Sequence, residues 1–330
     1  MHEGMGAVEV RVRVPAKVNL FLAVRGVRDD GYHELATVLQ TVSLYDELRA
    51  RLLGTPWARQ HPSARKLMRL SLEHDAGPAV PDGGENLVLR AARELLCELW
   101  VPADSDPAEL DRAPRTELSL RKGIPVAAGM AGGSADAAAT LLALNRLWAA
   151  DCSPEALHAI AARLGADVPF CLAGGTALAT GTGADTMRVL ARGDFHWVVG
   201  TAQEGLPTPA VYGAFDELDL PPSTIEPDIV LQALRTGDAE LLAGAMHNDL
   251  ETAAMALRPE LGDKLEVMYA AGALRALVSG SGPTVVALAP DQNSARDIAE
   301  AVGDHFADVE VASSPAGGPR ISETALQPTG

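Results

Sequence analysis

Alternating apolar and polar positions near the N-terminus predict a half-buried β-strand. Residues 7–14, AVEVRVRV, place valine at every second position with charged residues between them, which makes one face of a strand apolar. Residues 116–121, TELSLR, repeat the alternation over a shorter length. Between these segments, residues 85–100 carry apolar positions at the spacing of an amphipathic helix that packs on a sheet. We therefore expect the N-terminal half to mix strands and helices.

Two further helices are predicted after Gly133. The Ala/Leu-rich run that follows Gly133 forms the first, and Ser153 with Pro154 caps a second one that continues to Leu164. Residues 54–65 and 101–115 are rich in proline, charge and small polar residues, so they are expected to be surface loops.

The C-terminal half predicts a second mixed domain. Residues 195–201 indicate a buried strand, and helices are expected near 227–236, 238–257 and 259–271. Two short strands around a Gly/Ser/Pro turn follow in residues 274–289, then a helix near 293–305 and a strand at 307–312. This order favours an α+β domain of split βαβ character. Residues from about 313 are rich in proline, glycine and serine and are expected to be disordered.

The charge of the chain excludes two classes of partner. The sequence has 44 Asp and Glu against 27 Lys and Arg, a net charge of −17. A nucleic-acid polymer or an anionic membrane surface requires clustered basic residues, so neither is an expected partner. Residues 189–330 account for −14 of the charge and residues 1–188 for only −3.

Cysteine usage and hydropathy indicate a reduced, cytoplasmic protein. The three cysteines are an odd number without CxxC spacing, which is typical of a chain without disulfides. No apolar run reaches the ~18 residues of a membrane span, and no basic segment leads into an apolar stretch at the N-terminus. The oligomeric state is left open.

A glycine-rich segment after a predicted strand is the strongest chemical signal. Residues 125–139, PVAAGMAGGSADAAA, contain three glycines before a helix. Such a turn lets the backbone approach an anion while the helix N–H groups face it. The same composition can also serve close packing between a helix and a sheet. Neither GxxxxGK[ST] nor the GxGxxG dinucleotide fingerprint is present, so a Rossmann dehydrogenase is disfavoured.

Three other segments add ionisable or aromatic groups in apolar surroundings. Lys17 lies in PAKVNLFL, Tyr32 and His33 lie in DDGYHE, and Asp167 lies in GADVPF. A buried lysine requires an anionic partner to keep its charge. Each residue also has an ordinary structural role open to it, as an edge lysine, a turn beside the core or a loop-capping carboxylate.

Taken in order, these motifs resemble those of the GHMP small-molecule kinases. The resemblance continues through ENL, PTP, NDLE and SGSGPT and covers most of residues 7–312. It implies an α+β fold with a ribosomal-protein-S5-like N-terminal domain at 1–188 and a ferredoxin-like C-terminal domain at 189–312. The active site would lie in the cleft between the two domains.

The narrower motifs PAKVNLFL, DGYHEL and GADVPF imply the reaction. They are similar to those of the subfamily in which ATP phosphorylates the 2-hydroxyl of 4-diphosphocytidyl-2-C-methyl-D-erythritol, in non-mevalonate isoprenoid biosynthesis. In such a reaction, Asp167 is the candidate for the base that accepts the hydroxyl proton. Lys17 would lie close to it and stabilise the transferring phosphoryl group. The resemblance thus implies an enzyme that uses ATP and Mg²⁺.

The resemblance also assigns the two ligand ends. Asn19 would fix the catalytic pair, Tyr32 and Tyr212 would stack on the cytosine, and His33 would hydrogen-bond it. Tyr212 stands where the family commonly has Phe. The ATP-binding positions implied by the motifs are Asn86, Lys122, Pro125, Ala128, Gly129, Met130, Ala131, Gly132, Gly133 and Ser134.

The glycine loop departs from the family pattern. That loop commonly reads GLGGGSSNAA, whereas this chain has Met130, Ala131, Ala135 and Asp136 in place of Leu, Gly, Ser and Asn. An anion at Asp136 is unfavourable beside phosphates unless it faces away or holds Mg²⁺, so the metal ligands are left open. Two alternatives also stay open: a GHMP kinase for homoserine, mevalonate or a sugar, and a non-catalytic nucleotide-binding protein.

Overall fold

The structure is a computed structural model that describes residues 8–52, 68–72, 84–100, 116–126, 128–219 and 221–325. The expected surface loops at 54–65 and 101–115 lie outside the described residues. Two sheets organise the described part of the chain, one of eight strands and one of four.

The larger sheet is built around two long antiparallel strands. β1 (Val8–Val27) and β2 (His33–Leu52) pair along almost their whole length. The other strands of this sheet are β3 (Met68–Leu72), β4 (Thr116–Arg121), β5 (Thr176–Gly181), β6 (Asp185–Arg188), β8 (His247–Asn248) and β12 (Arg320–Ala325).

β1 is longer than its alternating segment predicts. The alternation of buried valines ends at Val14, and nearly every residue from there to Val24 is buried, because this stretch packs into the core clusters on both of its sides. PAKVNLFL therefore lies within the strand. The pairing shifts register between Pro15 and Ala16 and again between Asn19 and Phe21. Such irregularities redirect side chains, and here they flank Lys17.

Four helices accompany the larger sheet, where the pattern predicted three. They are α1 (Leu87–Trp100), α2 (Gly132–Leu147), α3 (Pro154–Leu164) and the short α4 (Val168–Ala173). α2 packs on β1, β2 and α1, and its many buried alanines allow that close approach. The predicted cap of α3 is confirmed, since the Ser153 hydroxyl accepts a hydrogen bond from the Ala156 N–H at 3.2 Å.

The smaller sheet is antiparallel in the order β11-β7-β10-β9. Its strands are β7 (Phe195–Thr201), β9 (Arg275–Val278), β10 (Val285–Ala289) and β11 (Asp308–Ser314). The helices of this half are α5 (Thr208–Glu217), α6 (Asp228–Thr236), α7 (Ala239–Ala245), α8 (Leu250–Leu257), α9 (Glu260–Ala270) and α10 (Gln292–Val302). Among the described residues, no helix has both the length and the apolar character that a membrane crossing requires.

The prediction of a single helix over residues 238–257 is wrong, because the structure has two helices there. The short strand β8 separates α7 from α8 and pairs in parallel with β1. Tertiary hydrogen bonds override the helical periodicity here: the Asn248 amide donates to the carbonyls of Val278 and Gly280, both at 2.8 Å. The Asp249 carboxylate also accepts from the Val24 N–H at 2.7 Å. This segment joins the two sheets.

The expectation of disorder from residue 313 onward is corrected through residue 325. β11 continues to Ser314, and β12 pairs antiparallel with β1 from Val8 opposite Ala325 to Arg13 opposite Arg320. The composition of this segment predicted disorder, but its backbone hydrogen-bonds to the outer edge of β1. That edge offers unpaired backbone groups, and pairing with them does not depend on the side chains of β12. The first and last strands of the described chain therefore lie side by side in the larger sheet.

Candidate functional site

A cleft of about 810 Å³ lies where β1, the start of α2, α5 and the turn between β9 and β10 meet. Twelve of the residues singled out from the sequence line it. They are Lys17, Asn19, Tyr32, His33, Ala128, Gly129, Ala131, Gly132, Gly133, Ser134, Asp167 and Tyr212. The structure therefore brings PAKVNLFL, DDGYHE, the glycine-rich segment and GADVPF together at one cleft.

Lys17 is the buried cation of the cleft. It is only 5% exposed, and its ammonium donates to the Asn19 side-chain oxygen at 2.7 Å and to the Gly129 carbonyl at 2.9 Å. Lys17 and Asn19 alternate with Val18 and so share one face of β1. The Asn19 amide donates in turn to the Thr37 hydroxyl at 2.9 Å, which fixes the side chain that orients Lys17.

Asp167 is the anionic partner of Lys17. Its carboxylate lies 3.7 Å from the Lys17 ammonium and is 35% exposed, at the junction between α3 and α4. The predicted proximity of these two residues is confirmed. A carboxylate that is held beside a buried ammonium yet open to the cleft can accept a proton from a bound ligand.

The glycine loop closes against the β9–β10 turn. Gly129 has φ +67°, and a Cβ there would lie 2.2 Å from the Ser279 carbonyl oxygen, so this position requires glycine. A Cβ on Gly280 would lie 3.2 Å from the Asn19 side-chain oxygen and 3.5 Å from the Lys17 ammonium. Backbone of the glycine loop and of the β9–β10 turn therefore approaches the Lys17 ammonium closely.

The first turn of α2 opens onto the same cleft. Ala131 adopts the left-handed conformation, φ 58°, immediately before the helix. The N–H groups of Gly132, Gly133 and Ser134 come next, and the first N–H groups of a helix have no acceptor within it. Together with the helix dipole they favour an anion at this end.

The aromatic part of the cleft is built by the start of β2 and by α5. The rings of His33 and Tyr212 stack at 4.7 Å with an angle of 28°, and the His33 Nε2 lies 2.7 Å from the Asp216 carboxylate. Burial, with a smaller effect from the charge of Asp167, raises the pKa of Tyr212 to about 12. Tyr212 is therefore a neutral phenol at physiological pH. Tyr32 is 66% exposed at the cleft.

Four residues that the resemblance assigns to ATP do not line the cleft: Asn86, Lys122, Pro125 and Met130. The Asn86 side chain accepts a hydrogen bond from the Val88 N–H at 2.8 Å, at the start of α1. Met130 is 1% exposed and belongs to the core, because its side chain packs inward beneath the loop. Only the backbone of Met130 reaches the site, where its carbonyl accepts from the Lys17 N–H at 3.2 Å.

Lys122 is bound beneath the glycine loop by two carboxylates. Its ammonium donates to Asp46 and to Asp136, the latter at 2.7 Å, and Asp46 also accepts from the N–H groups of Gly123 and Ile124. Burial raises the pKa of Asp136 well above its usual range, and the Lys122 ammonium offsets this only in part. The Asp136 carboxyl therefore faces Lys122 and does not line the cleft, so it does not place a negative charge in the site expected to bind phosphates.

Several cleft residues were not singled out from the sequence. Thr208 and Ser281 are hydrogen-bonded to each other at 2.9 Å and belong to the PTP and SGSGPT motifs, which would have identified them. Asp216 follows Tyr212 by four residues on one helix, so helical spacing would have placed both on one face. Thr182 and Gly183 also line the cleft, and no sequence signal marks them.

Family models match both halves of the chain. The model described as GHMP kinases N terminal domain matches residues 86–175, and the model described as GHMP kinases C terminal matches residues 230–308.

Full-length relatives with similar sequences are kinases. The chain is 45% identical to the 4-diphosphocytidyl-2-C-methyl-D-erythritol kinase of Rhodococcus jostii, over 96% of each chain. It is 49% identical to the enzyme of the same name from Streptomyces coelicolor, over 88% of this chain and 91% of the other.

Solved structures agree with the sequence relatives. A crystal structure of 4-(cytidine 5'-diphospho)-2C-methyl-D-erythritol kinase superposes with a TM-score of 0.71 at 34% identity, covering 92% of this chain and 98% of the other. A homoserine kinase from Cytophaga hutchinsonii superposes with a TM-score of 0.68 at 21% identity, covering 95% and 97%. The second match shows the shared fold alone.

Proposed function

Because the chain belongs to the GHMP kinases, and among them to the 4-diphosphocytidyl-2-C-methyl-D-erythritol kinases, we propose that it phosphorylates the 2-hydroxyl of 4-diphosphocytidyl-2-C-methyl-D-erythritol. ATP-dependent phosphorylation in the non-mevalonate route to isoprenoids is the activity of this family. The two-domain α+β fold expected from the motifs is that of the family.

The observation that carries the proposal is the Lys17–Asp167 pair beside the glycine loop. A carboxylate 3.7 Å from a buried ammonium provides a proton acceptor and a fixed positive charge in one place. The Gly129 carbonyl and the Asn19 amide oxygen hold that ammonium at 2.9 and 2.7 Å. Such an arrangement serves phosphoryl transfer, which depends mainly on positioning and on neutralising charge.

The proposed chemistry follows from these roles. Asp167 orients the 2-hydroxyl and accepts its proton as the oxygen bonds to the γ-phosphorus, while the bond to the bridging oxygen breaks and ADP leaves. Lys17 stabilises the negative charge of the transferring phosphoryl group. A tertiary alcohol is a weak acid, so the proton moves to Asp167 late, when the new bond is largely formed.

The residues of the glycine loop fit a nucleotide phosphate. Gly129 leaves no space for a side chain between the loop and Ser279, and the α2 N–H groups of Gly132, Gly133 and Ser134 border the cleft. These groups would hold the β- and γ-phosphates of ATP by backbone hydrogen bonds. Lys122 would act from below, by holding the loop through Asp46 and Asp136.

A magnesium ion would be bound mainly through the phosphates. Within the described residues there is no group of three or more His, Cys, Asp or Glu side chains that could hold a metal. Mg²⁺ is commonly bound by substrate phosphates with one or two protein oxygens, and the Ser134 hydroxyl would supply such an oxygen at the cleft. The ion would neutralise phosphate charge during transfer.

The aromatic part of the cleft favours a substrate that carries a base. Tyr32, His33 and Tyr212 line it together, and base–aromatic stacking contributes ~1–3 kcal/mol per base. Homoserine and mevalonate have no base to stack, so these side chains disfavour the other GHMP substrates. Tyr32 and Tyr212 would stack on the cytosine and His33 would hydrogen-bond it.

The proposal is tested by coupled measurement of ADP release with a panel of acceptors. We expect Mg²⁺-dependent turnover of 4-diphosphocytidyl-2-C-methyl-D-erythritol and at least ~100-fold lower kcat/KM with homoserine or mevalonate, because the stacking and hydrogen bonds of the base are lost. Product analysis by phosphorus NMR should locate the new phosphate on the 2-hydroxyl.

Two results would contradict the proposal. One is turnover of homoserine, mevalonate or a sugar by protein that leaves the cytidyl substrate unchanged. The other is nucleotide binding without any turnover, which would identify a non-catalytic binding protein.

A further inference from the structure

Three residues of α5 hold the His33 ring. Tyr212 stacks on it at 4.7 Å, Phe215 meets it edge-on at 6.3 Å, and Asp216 lies 2.7 Å from its Nε2. The spacing of these residues places them on one face of the helix. The His33 side chain is only 11% exposed, whereas the Asp216 carboxylate is 52% exposed. The ring is therefore fixed in position before any ligand binds.

The Asp216 contact also determines which nitrogen of His33 carries the proton. An ionised carboxylate can only accept hydrogen bonds, so the Nε2 beside it must be the N–H donor. A neutral imidazole carries one proton, and the Nδ1 is then a lone-pair acceptor. Within the described residues the Nδ1 has no hydrogen-bond partner, so a ligand in the cleft can supply the donor.

We infer that Asp216 is a positioning residue that, through the tautomer of His33, makes the cleft select a 4-amino pyrimidine over a 4-oxo pyrimidine. This inference rests on the proposed function. At position 4, cytosine presents an amine that donates to the Nδ1, whereas uracil presents a carbonyl that places an acceptor against an acceptor. Uracil N3–H lies one ring position away and would meet the Nδ1 only if the base shifted along the stack.

The direct test is the ratio of kcat/KM for 4-diphosphocytidyl-2-C-methyl-D-erythritol to that for its 4-diphosphouridyl analogue. Assays are run at several pH values from about 7 to 9, and the ratio is taken where it no longer changes with pH. We expect the unmodified protein to prefer the cytidyl substrate by roughly 10- to 100-fold, because the uridyl analogue leaves acceptors unpaired.

Asp216→Asn should lower this ratio to a few-fold. The amide can turn its NH₂ toward the Nε2, which allows the proton to move to the Nδ1 and lets the ring donate to a carbonyl. The loss should appear mainly in KM, since Lys17 and Asp167 are unchanged. Asp216→Glu keeps a carboxylate and should restore most of the selectivity. Glu217→Gln, an exposed neighbour on α5 outside the cleft, is the matched control and should leave the ratio unchanged.

A double-mutant cycle separates an action through His33 from a direct contact of Asp216 with the base. In a His33→Gln background, Asp216→Asn should have no further effect on the ratio, because the group it positions is gone. An undiminished effect of Asp216→Asn in that background would overturn the inference.

Nitrogen NMR of histidine-labelled protein without substrate gives a readout that does not depend on activity. The His33 signal, assigned by its loss in His33→Gln, should show a protonated Nε2 and an unprotonated Nδ1. Asp216→Asn should shift the signal toward a mixture of tautomers. A protonated Nδ1 in the unmodified protein, or equal use of the two pyrimidine substrates, would overturn the inference. Absence of turnover with the cytidyl substrate would instead count against the proposed function, while the NMR result would still stand.

Discussion

At the scale of single residues, the site depends on charges that are paired before a substrate arrives. Lys17 is almost fully buried, and an ammonium there is tolerable because Asn19, Gly129 and Asp167 surround it. Because these polar and charged groups are already in place, they need not reorient during phosphoryl transfer, as water molecules would have to.

Asp167→Asn should reduce kcat by about 10²- to 10⁴-fold, because the amide cannot accept the proton of the hydroxyl. ATP binding, measured by calorimetry, should change little, since the glycine loop is untouched. Steady-state ADP release gives kcat, with Asp304→Asn, an exposed carboxylate outside the cleft, as the control. If the Asp167 variant kept near-normal kcat, the base would have to be another group.

The buried Asp136 should make stability depend on pH. Burial raises its pKa in the folded state, so the fold binds more protons than the unfolded chain as the pH rises above the usual aspartate value. Stability contributed by this group is present at low pH and is lost as the pH rises toward the raised pKa. Asp136→Asn does not titrate and should escape that loss.

The measurement is urea unfolding of both proteins from about pH 4.5 to 7.5. The stability of Asp136→Asn relative to the unmodified protein should increase by up to ~1.4 kcal/mol per pH unit within the window between the two pKa values. Asp297→Asn, on the exposed side of α10, should show no such trend. A difference that stays constant with pH would mean that Asp136 remains ionised beside Lys122.

At the residue level, the motifs correctly predicted that Lys17, Asp167 and the glycine loop meet at one place, since all of them line the cleft. These residues could be singled out because their types and spacing are informative within a few positions. The partners of Lys122 were not, because Asp46 lies 76 positions away in the neighbouring strand and only the fold brings them together. Asp216 was missed because a carboxylate on a helix is ordinarily a solvated residue.

At the scale of elements, β12 is the clearest departure from the sequence pattern. Removing residues 320–330 should expose the edge of β1, lower the melting temperature by about 5–10 °C and increase aggregation through open strand edges. Differential scanning calorimetry and light scattering measure the two effects.

Deletion of residues 326–330 alone is the matched control for that truncation, because it leaves β12 intact. The control should retain the original melting temperature. Equal stability of both truncated proteins would show that the β1–β12 pairing contributes little to the fold.

Periodicity predicted the elements that bury one face and failed where hydrogen bonds from distant segments decide the backbone. α1, α3 and β4 begin or end within about two residues of the predicted positions. The segment 238–257 has continuous helical character, yet Asn248 and Asp249 are drawn into contacts with β9 and β1. No local pattern carries information about such partners.

At the scale of the whole molecule, the net charge of −17 does not prevent binding of polyanionic substrates. The acidic excess lies mainly in residues 189–330, whereas the first turn of α2, Lys17 and the glycine loop all come from residues 1–188. Fixed dipoles and one buried cation act over a few ångströms, and salt screens surface charge beyond about 8 Å.

Pairing of β12 with β1 also dictates an order of events during synthesis. The outer edge of β1 is complete only when residues 320–325 join it, about 300 residues after β1 itself leaves the ribosome. At ~5–20 residues per second this interval is roughly 15–60 s. During that time the nascent chain carries an open strand edge, a surface that can pair with other chains until residues 320–325 cover it.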